Sequence, residues 1–464
     1  MRQKPGEGTP KVQQKQPDYL DRQARYESNA RMYPRSIPVT ISRASGAYVT
    51  DTEGRTYLDC LAGAGTLALG HNHPVAVEAM RKLLDSGGPL HALDLSTPAK
   101  DRFAETLLES IPEEIAGRAK IQFCGAAGAD AVEASVKLVK TATGNTQMLS
   151  FSGGFHGMTH GALSLSGNLG PKEPVGALMP EVQFLPYPSE YRCPFGIGGE
   201  EGHRAGSRYI EHLLDDPEGG VKSPAGMIVE AVQGEGGANP APDEWLAEIR
   251  RITAERGIPL ILDEVQAGVG RTGKMYAFEH VGITPNAVVL SKAIGGSLPL
   301  AVVVYDEKLD EWKPGAHSGT FRGNQLAMAA GEATIRHILD ERLYEHAANM
   351  GERLMDGLRE VQSATRCIGE VRGRGLLAGA EIVDPDRLGS RPENPSLASR
   401  IQSECLKRGL IQETGGRHGA VLRFLPPLIV TEEEVDRICE IFGESVTAAE
   451  RHSGRDTRNL PEAG

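Results

Sequence analysis

The sequence predicts an α/β fold, with a large and mostly parallel sheet joined to a smaller α+β part built from both chain ends. Three observations carry this. Apolar, β-branched runs of strand length alternate with amphipathic helical stretches from about residue 98 to 304, the pattern of a sheet buried on both faces. Shorter alternating segments flank this rhythm at both ends. The chain has 464 residues, too many for one compact core.

In order, 1–16 is polar and rich in Pro, Gly and Gln, and reads as a disordered tail. It lacks the apolar core of a signal peptide. Residues 18–33 look helical and end at Pro34. Residues 39–43 and 47–50 alternate as strands, and Asp51-Thr-Glu-Gly54 turns the chain toward Thr56-Tyr-Leu58. A Gly-rich loop reaches Pro74, which opens a helix over 75–84. Helices over 99–110, 131–141, 204–214 and 244–255 then precede strands over 120–124, 147–151, 226–230 and 259–264. Strands over 287–290 and 300–304 follow. The segment 166–199 reads as a surface excursion. A long helical stretch spans 325–360. Beyond it lie a strand at 376–382, a helix at 397–407, a strand at 421–424, a helix at 432–448 and a frayed tail at 453–464. The expected domains are 17–74 and 329–452 for the smaller one and 75–328 for the larger.

Composition narrows the function. Net charge is −12, which opposes nucleic acid as the main partner because phosphate binding needs a basic surface. No apolar run reaches the roughly 18–20 residues of a membrane span. The six cysteines (60, 124, 193, 367, 405, 439) contain no Cys-x-x-Cys pair. This fits reduced thiols in the cytoplasm rather than a disulfide framework or a zinc site. His71 and His73 lack further nearby ligands, and glycines around His156-x3-His160 oppose a helical metal pair, so no metal is expected.

Lys292 stands between two buried strands. Desolvation there lowers an amine pKa and frees it for Schiff-base chemistry; taken alone, a lysine snorkelling to solvent is the plainer reading. Its neighbours shift the balance. Asp263 ends a core strand one strand–helix–strand unit upstream. Gly125-Ala-Ala-Gly128-Ala-Asp130 leads a strand into a helix N-terminus, a phosphate cradle or a plain tight turn. Phe155, flanked by glycines, can lie flat on a planar ring. Thr320 lies in a polar loop, and Arg423 sits inside an apolar strand, where a guanidinium needs a carboxylate. Together these point to pyridoxal 5'-phosphate chemistry. Two other readings fail. The run from Gly268 to Lys274 matches a P-loop, but Met275 stands where the magnesium-binding hydroxyl belongs. The same glycines match a dinucleotide fingerprint, but Asp263-Glu-Val-Gln266 separates them from their strand.

Glu230-Ala-Val-Gln-Gly-Glu235-Gly-Gly, Asp263-Glu-Val-Gln266-Ala-Gly-Val-Gly-Arg-Thr-Gly and Ser291-Lys292-Ala-Ile-Gly-Gly resemble the class III (ω-amino acid) aminotransferases. Within that class Cys60 to Pro74, Pro186-Tyr-Pro, Tyr191-Arg-Cys-Pro-Phe-Gly196 and Lys313 to Asn324 resemble the L-2,4-diaminobutyrate:2-oxoglutarate 4-aminotransferases. The resemblance implies fold type I with a seven-stranded sheet, and a homodimer, or a dimer of dimers, with composite active sites. It implies a small-molecule amino donor, a 2-oxo acid acceptor and a place in siderophore or other secondary-metabolite synthesis. It also implies residue roles. Lys292 would hold the cofactor and act as base, Asp263 would pair with the pyridine nitrogen, and Gln266 would approach the 3′-oxygen. Phe155 would stack on the ring beside His156. Gly128 and Ala129 would hold the phosphate, reached by Thr320 of a neighbouring subunit. Arg423 would bind the α-carboxylate of glutamate or 2-oxoglutarate, with Glu235 neutralising it for other substrates. The chain departs from the family at Ala127 and Ala129, where hydroxyl residues are usual, and at Met158, where some members have an arginine.

Overall fold

A computed structural model describes residues 18–387 and 391–456; the expected tail at 1–16 lies outside them. Seven strands form the main sheet: β1 (Ala119–Phe123), β2 (Gln147–Phe151), β3 (Val182–Leu185), β4 (Pro224–Val229), β5 (Leu260–Asp263), β6 (Ala287–Leu290) and β7 (Val302–Asp306). Their order is β3-β2-β4-β5-β6-β7-β1. The pairs β2–β3, β2–β4, β4–β5 and β5–β6 are parallel. Strand β7 runs antiparallel to both β6 and β1.

The two-residue period of a strand explains why these runs are apolar throughout. Leu260, Leu262, Val288, Leu290, Val302 and Val304 enter one core cluster. Ile261, Ala287, Val289 and Val303, the residues between them, enter another on the opposite face with helix Gly128–Thr143. The carboxyl ends of the parallel strands thus share one rim, where ligands of open α/β sheets bind.

Two smaller sheets use both chain ends. Strands Ile41–Ser45, Tyr48–Asp51 and Thr56–Asp59 form a meander, which Leu410–Ile411 joins in parallel beside Thr56–Asp59. The expected turn is built by Asp51, whose Oδ1 accepts the N–H groups of Glu53 and Arg55 at 2.9 Å each. The other sheet orders Ile368–Arg374, Leu377–Ile382, Val421–Phe424 and Glu413–Gly415.

The structure corrects several expectations. Pro34 does not end a long helix. Helix Tyr19–Tyr26 stops earlier, and Pro34 sits in the first turn of Tyr33–Ser36, where its missing N–H costs nothing. The excursion at 166–199 contains β3, an edge strand with mixed polar burial. The stretch 325–360 is two helices, Gln325–Asp340 and Leu343–Ser363, broken at Arg342 in the left-handed region (φ 51°). Strand Ile368–Arg374, absent from the sequence reading, is mostly half-buried and carries three charged residues, Glu370, Arg372 and Arg374, that obscure its period. The last helix continues to Asp456, past the expected fraying point; 457–464 lie outside the described residues.

Candidate active site

Strand ends β2, β4, β5 and β6 bring the chemistry to one rim. Asp263 closes β5 and is 5% exposed. Its Oδ2 lies 2.7 Å from His156 Nδ1, and its Oδ1 accepts the Val265 N–H at 3.1 Å. Burial alone would lower the His156 pKa, but the hydrogen bond to Asp263 and the charges of Asp263 and Glu230 outweigh it and raise it. The imidazolium–carboxylate pair is therefore favoured at this position.

Lys292 follows β6, two residues past Leu290, with φ 50°. Left-handed backbone at a lysine costs free energy and is typical of functional sites. Among the described residues its ammonium makes no hydrogen bond or ion pair. Desolvation is the main cause holding its pKa below the usual lysine range, opposed by Glu235 and reinforced by Arg423; Asp263 and Glu413 are also near enough to act on it. The neighbouring Gly296 serves packing rather than the site, since a Cβ there would lie 2.4 Å from the Ala330 carbonyl oxygen.

The loop after β2 carries Phe155, half-buried, with its N–H donating to Glu230 Oε1 at 2.9 Å. Glu230 also accepts the Gly234 N–H at 3.1 Å. Burial keeps its carboxyl pKa above the usual range. This acid fixes the position of both loops, and the sequence reading gave it no role. The loop after β1 enters helix Gly128–Thr143 with no side-chain cap at Ala127, leaving N–H groups of the first turn open to an anion. A Cβ on Gly128 would meet Val265 Cγ1 at 3.0 Å and Cγ2 at 3.1 Å, so the helix entrance packs closely against the residue two past Asp263. Ala129 contributes no hydroxyl, and its Cβ faces Gly157 closely enough that a Cβ there would be 2.5 Å away. The loop bearing Thr320 lies beside this entrance: His317 Nε2 is 3.3 Å from Asp130 Oδ1, and Thr320 itself is exposed. Cys124, Asp130 and His317 converge with metal-ligand reach, but Lys137 Nζ approaches His317 Nδ1 at 3.4 Å, and that ammonium opposes a cation.

At the far end stands Arg423, fully buried. Its Nη2 donates to Glu235 Oε1 at 2.7 Å and to Glu413 Oε1 at 2.5 Å, and its Nη1 donates to Gln266 Oε1 at 3.2 Å. Gln266 also donates to the Ala64 carbonyl at 3.1 Å. Glu413 is directly across the strand pair from Arg423 and receives the Tyr33 hydroxyl at 3.3 Å. Neither Glu413 nor Tyr33 was found from sequence. An acid ten residues before a buried arginine, with Gly415-Gly416 between, was the available signal for a cross-strand pair.

The residues fit pyridoxal phosphate. An unpaired amine, a buried carboxylate with a histidine partner and an uncapped helix N-terminus surround one rim, the donor and acceptor set that a phosphorylated pyridine aldehyde requires. The P-loop lookalike is ruled out by its surroundings. Arg271 within it is buried and donates to the Leu376 and Pro426 carbonyls, tying the turn to the C-terminal sheet. Met158, in place of an arginine, is 56% exposed.

The sequence pattern described as Aminotransferase class-III matches residues 30–446. The chain is 59% identical over 424 residues to a diaminobutyrate--2-oxoglutarate aminotransferase of Rhizobium meliloti (strain 1021), covering 90% of each chain. It is 52% identical to a protein of the same name from Haemophilus influenzae, covering 93% of this chain and 95% of that one. An amine transaminase from an uncultivated Pseudomonas species, solved in its PLP-bound form, superposes with a TM-score of 0.81 at 27% identity, covering 91% and 97%. These likenesses agree with the seven-stranded sheet and the lysine-bearing rim, and the chain belongs to the class III aminotransferases, pyridoxal-phosphate enzymes of fold type I.

Proposed function

We propose that the protein transfers the terminal amine of L-2,4-diaminobutyrate to 2-oxoglutarate, giving L-aspartate 4-semialdehyde and glutamate. The observation that carries this is Arg423, buried and clamped by Glu235 within electrostatic reach of the unpaired Lys292. One pocket must accept a substrate carboxylate in one half-reaction and a bare methylene amine in the other. A guanidinium that exchanges an internal carboxylate for an external one does both.

When bound, pyridoxal phosphate supplies an electrophilic carbonyl and a ring that takes up the electrons of the broken C–H bond. The chain supplies the rest. Lys292 holds the group and carries the proton to and from the substrate carbon, helped by its lowered pKa. Asp263, held by His156, would keep a proton on the ring nitrogen. Phe155 would cover the ring, Gln266 would approach the 3′-oxygen, and Gly128 and Ala129 would offer N–H groups to the phosphate. Thr320 would reach the phosphate of a second copy. Its exposure supports that, as does the surrounding surface: Leu90, Leu93, Leu95 and Phe321 are 45–69% exposed, an apolar patch of the kind a homodimer buries.

Six free cysteines, four of them buried, support a reducing, cytoplasmic location. Among the described residues no helix is long and apolar enough to cross a membrane. The parallel pairing of Leu410–Ile411 with Thr56–Asp59 supports a smaller domain made from 17–74 and 329–452 beside a cofactor domain at 75–328. An amino-donor screen with 2-oxoglutarate, scored by glutamate formation, tests the substrate. Diaminobutyrate should be the preferred donor; glutamate formed from ornithine or 4-aminobutyrate but not from diaminobutyrate would overturn the reading.

A further inference from the structure

The guanidinium of Arg423 faces more negative charge than it needs. Glu235 and Glu413 both accept from the same Nη2 atom, so the cluster carries one carboxylate in excess. The two acids differ in their setting. The Glu235 side chain is 32% exposed, whereas that of Glu413 is 5% exposed and lies directly across the strand pair from Arg423. One Glu413 oxygen serves Arg423. Among the described residues the other has only the long 3.3 Å contact with the Tyr33 hydroxyl, and Tyr33 is 39% exposed. Glu413 shares the Arg423 Nη2 atom with Glu235, which places it in the charge cluster that acts on Lys292.

On the reading that diaminobutyrate is the donor, we infer that Glu413, with the Tyr33 hydroxyl, binds the donor's α-ammonium group and sets the preference for α,ω-diamino acids over ω-amino acids. Diaminobutyrate carries this second ammonium and 4-aminobutyrate does not, although both present the same terminal amine and a carboxylate. A buried carboxylate with an unfilled acceptor position rewards the first and gives nothing to the second.

The test uses the full-length, pyridoxal-phosphate-loaded protein and Glu413→Gln, with each donor assayed against 2-oxoglutarate. Loss of one charge-assisted hydrogen bond lowers kcat/KM for diaminobutyrate about tenfold to a hundredfold, with 4-aminobutyrate little changed. Calorimetric binding of both donors to Lys292→Ala and to Lys292→Ala/Glu413→Gln gives a readout independent of turnover and should show the same selective loss. Tyr33→Phe, which keeps the ring, should move both measurements in the same direction by less, and serves if Glu413→Gln fails to fold. Equal losses for the two donors would show that Glu413 only positions Arg423, and unchanged preference would exclude a role; either overturns the inference. A wild-type protein inactive with diaminobutyrate removes the substrate reading and this inference with it. A wild type that uses diaminobutyrate, beside a Glu413→Gln variant that keeps its preference, removes the inference alone.

Discussion

Replacing Arg423 by methionine separates the stabilising and functional roles of the charge cluster. The guanidinium is fully buried and is the cation nearest to Glu413, itself 4% exposed. Removing one partner of a buried pair costs about 3–5 kcal/mol, because the remaining charge stays buried. Most of that falls on Glu413, since the Glu235 side chain is already 32% exposed to solvent and that of Glu413 only 5%. Burial already raises the Glu413 pKa, and Arg423 is the main influence holding it down. Without Arg423 it rises further, so the native state binds a proton that the unfolded state releases above about pH 4.5. The variant's stability deficit is then largest at alkaline pH and shrinks as pH falls. Functionally, one charge-assisted contact to the 2-oxoglutarate carboxylate is lost, about 1.5–3 kcal/mol, or about tenfold to a hundredfold in kcat/KM. The two half-reactions, followed separately by cofactor absorbance, should show the loss with glutamate and 2-oxoglutarate and a smaller one with diaminobutyrate. Equal losses in both, together with wild-type stability at pH 8, would refute this account of the pocket.

Other expected outcomes follow from single contacts. Gly415→Ala places a Cβ 2.5 Å from Arg423 Nε; it should impair the 2-oxoglutarate half-reaction while cofactor absorbance is retained. Asp263→Asn removes the charge that raises the His156 pKa and should lower kcat by about 10²–10³-fold, with the His156 pKa falling in an NMR titration. Glu264 accepts the Ala277 and Phe278 N–H groups, and burial pushes its pKa up to about 8. Because the folded state holds that proton where the unfolded state has lost it, Glu264 makes stability decline from about pH 4.5 to 8. Denaturation midpoints of Glu264→Gln should decline less across that window.

The parts of the site legible in sequence were those that violate a local rule. Lys292 and Asp263 stand at the ends of apolar strands, and Arg423 sits charged within another, so burial and charge conflict visibly in a short window. The main sheet was legible for a related reason, since double-sided burial makes its inner strands continuous apolar runs. What sequence concealed was non-local or half-buried. Strand β3 and Ile368–Arg374 alternate weakly because each faces partly to solvent. The break at Arg342 carries no glycine or proline. Tyr33 meets Glu413 across 380 positions of chain, a distance no spacing rule spans. Glu230 was quoted within a motif, but its part in holding Phe155 depends on two loops meeting.

The central claim is that Lys292 is the amine that binds the cofactor covalently. Borohydride reduction of the pyridoxal-phosphate-loaded protein, followed by peptide mass analysis, tests it most directly. The account predicts loss of visible absorbance, with the cofactor mass fixed on the peptide containing Lys292 and no fixed cofactor in Lys292→Ala. A label on another lysine, or a colourless protein that takes up no pyridoxal phosphate, would contradict it.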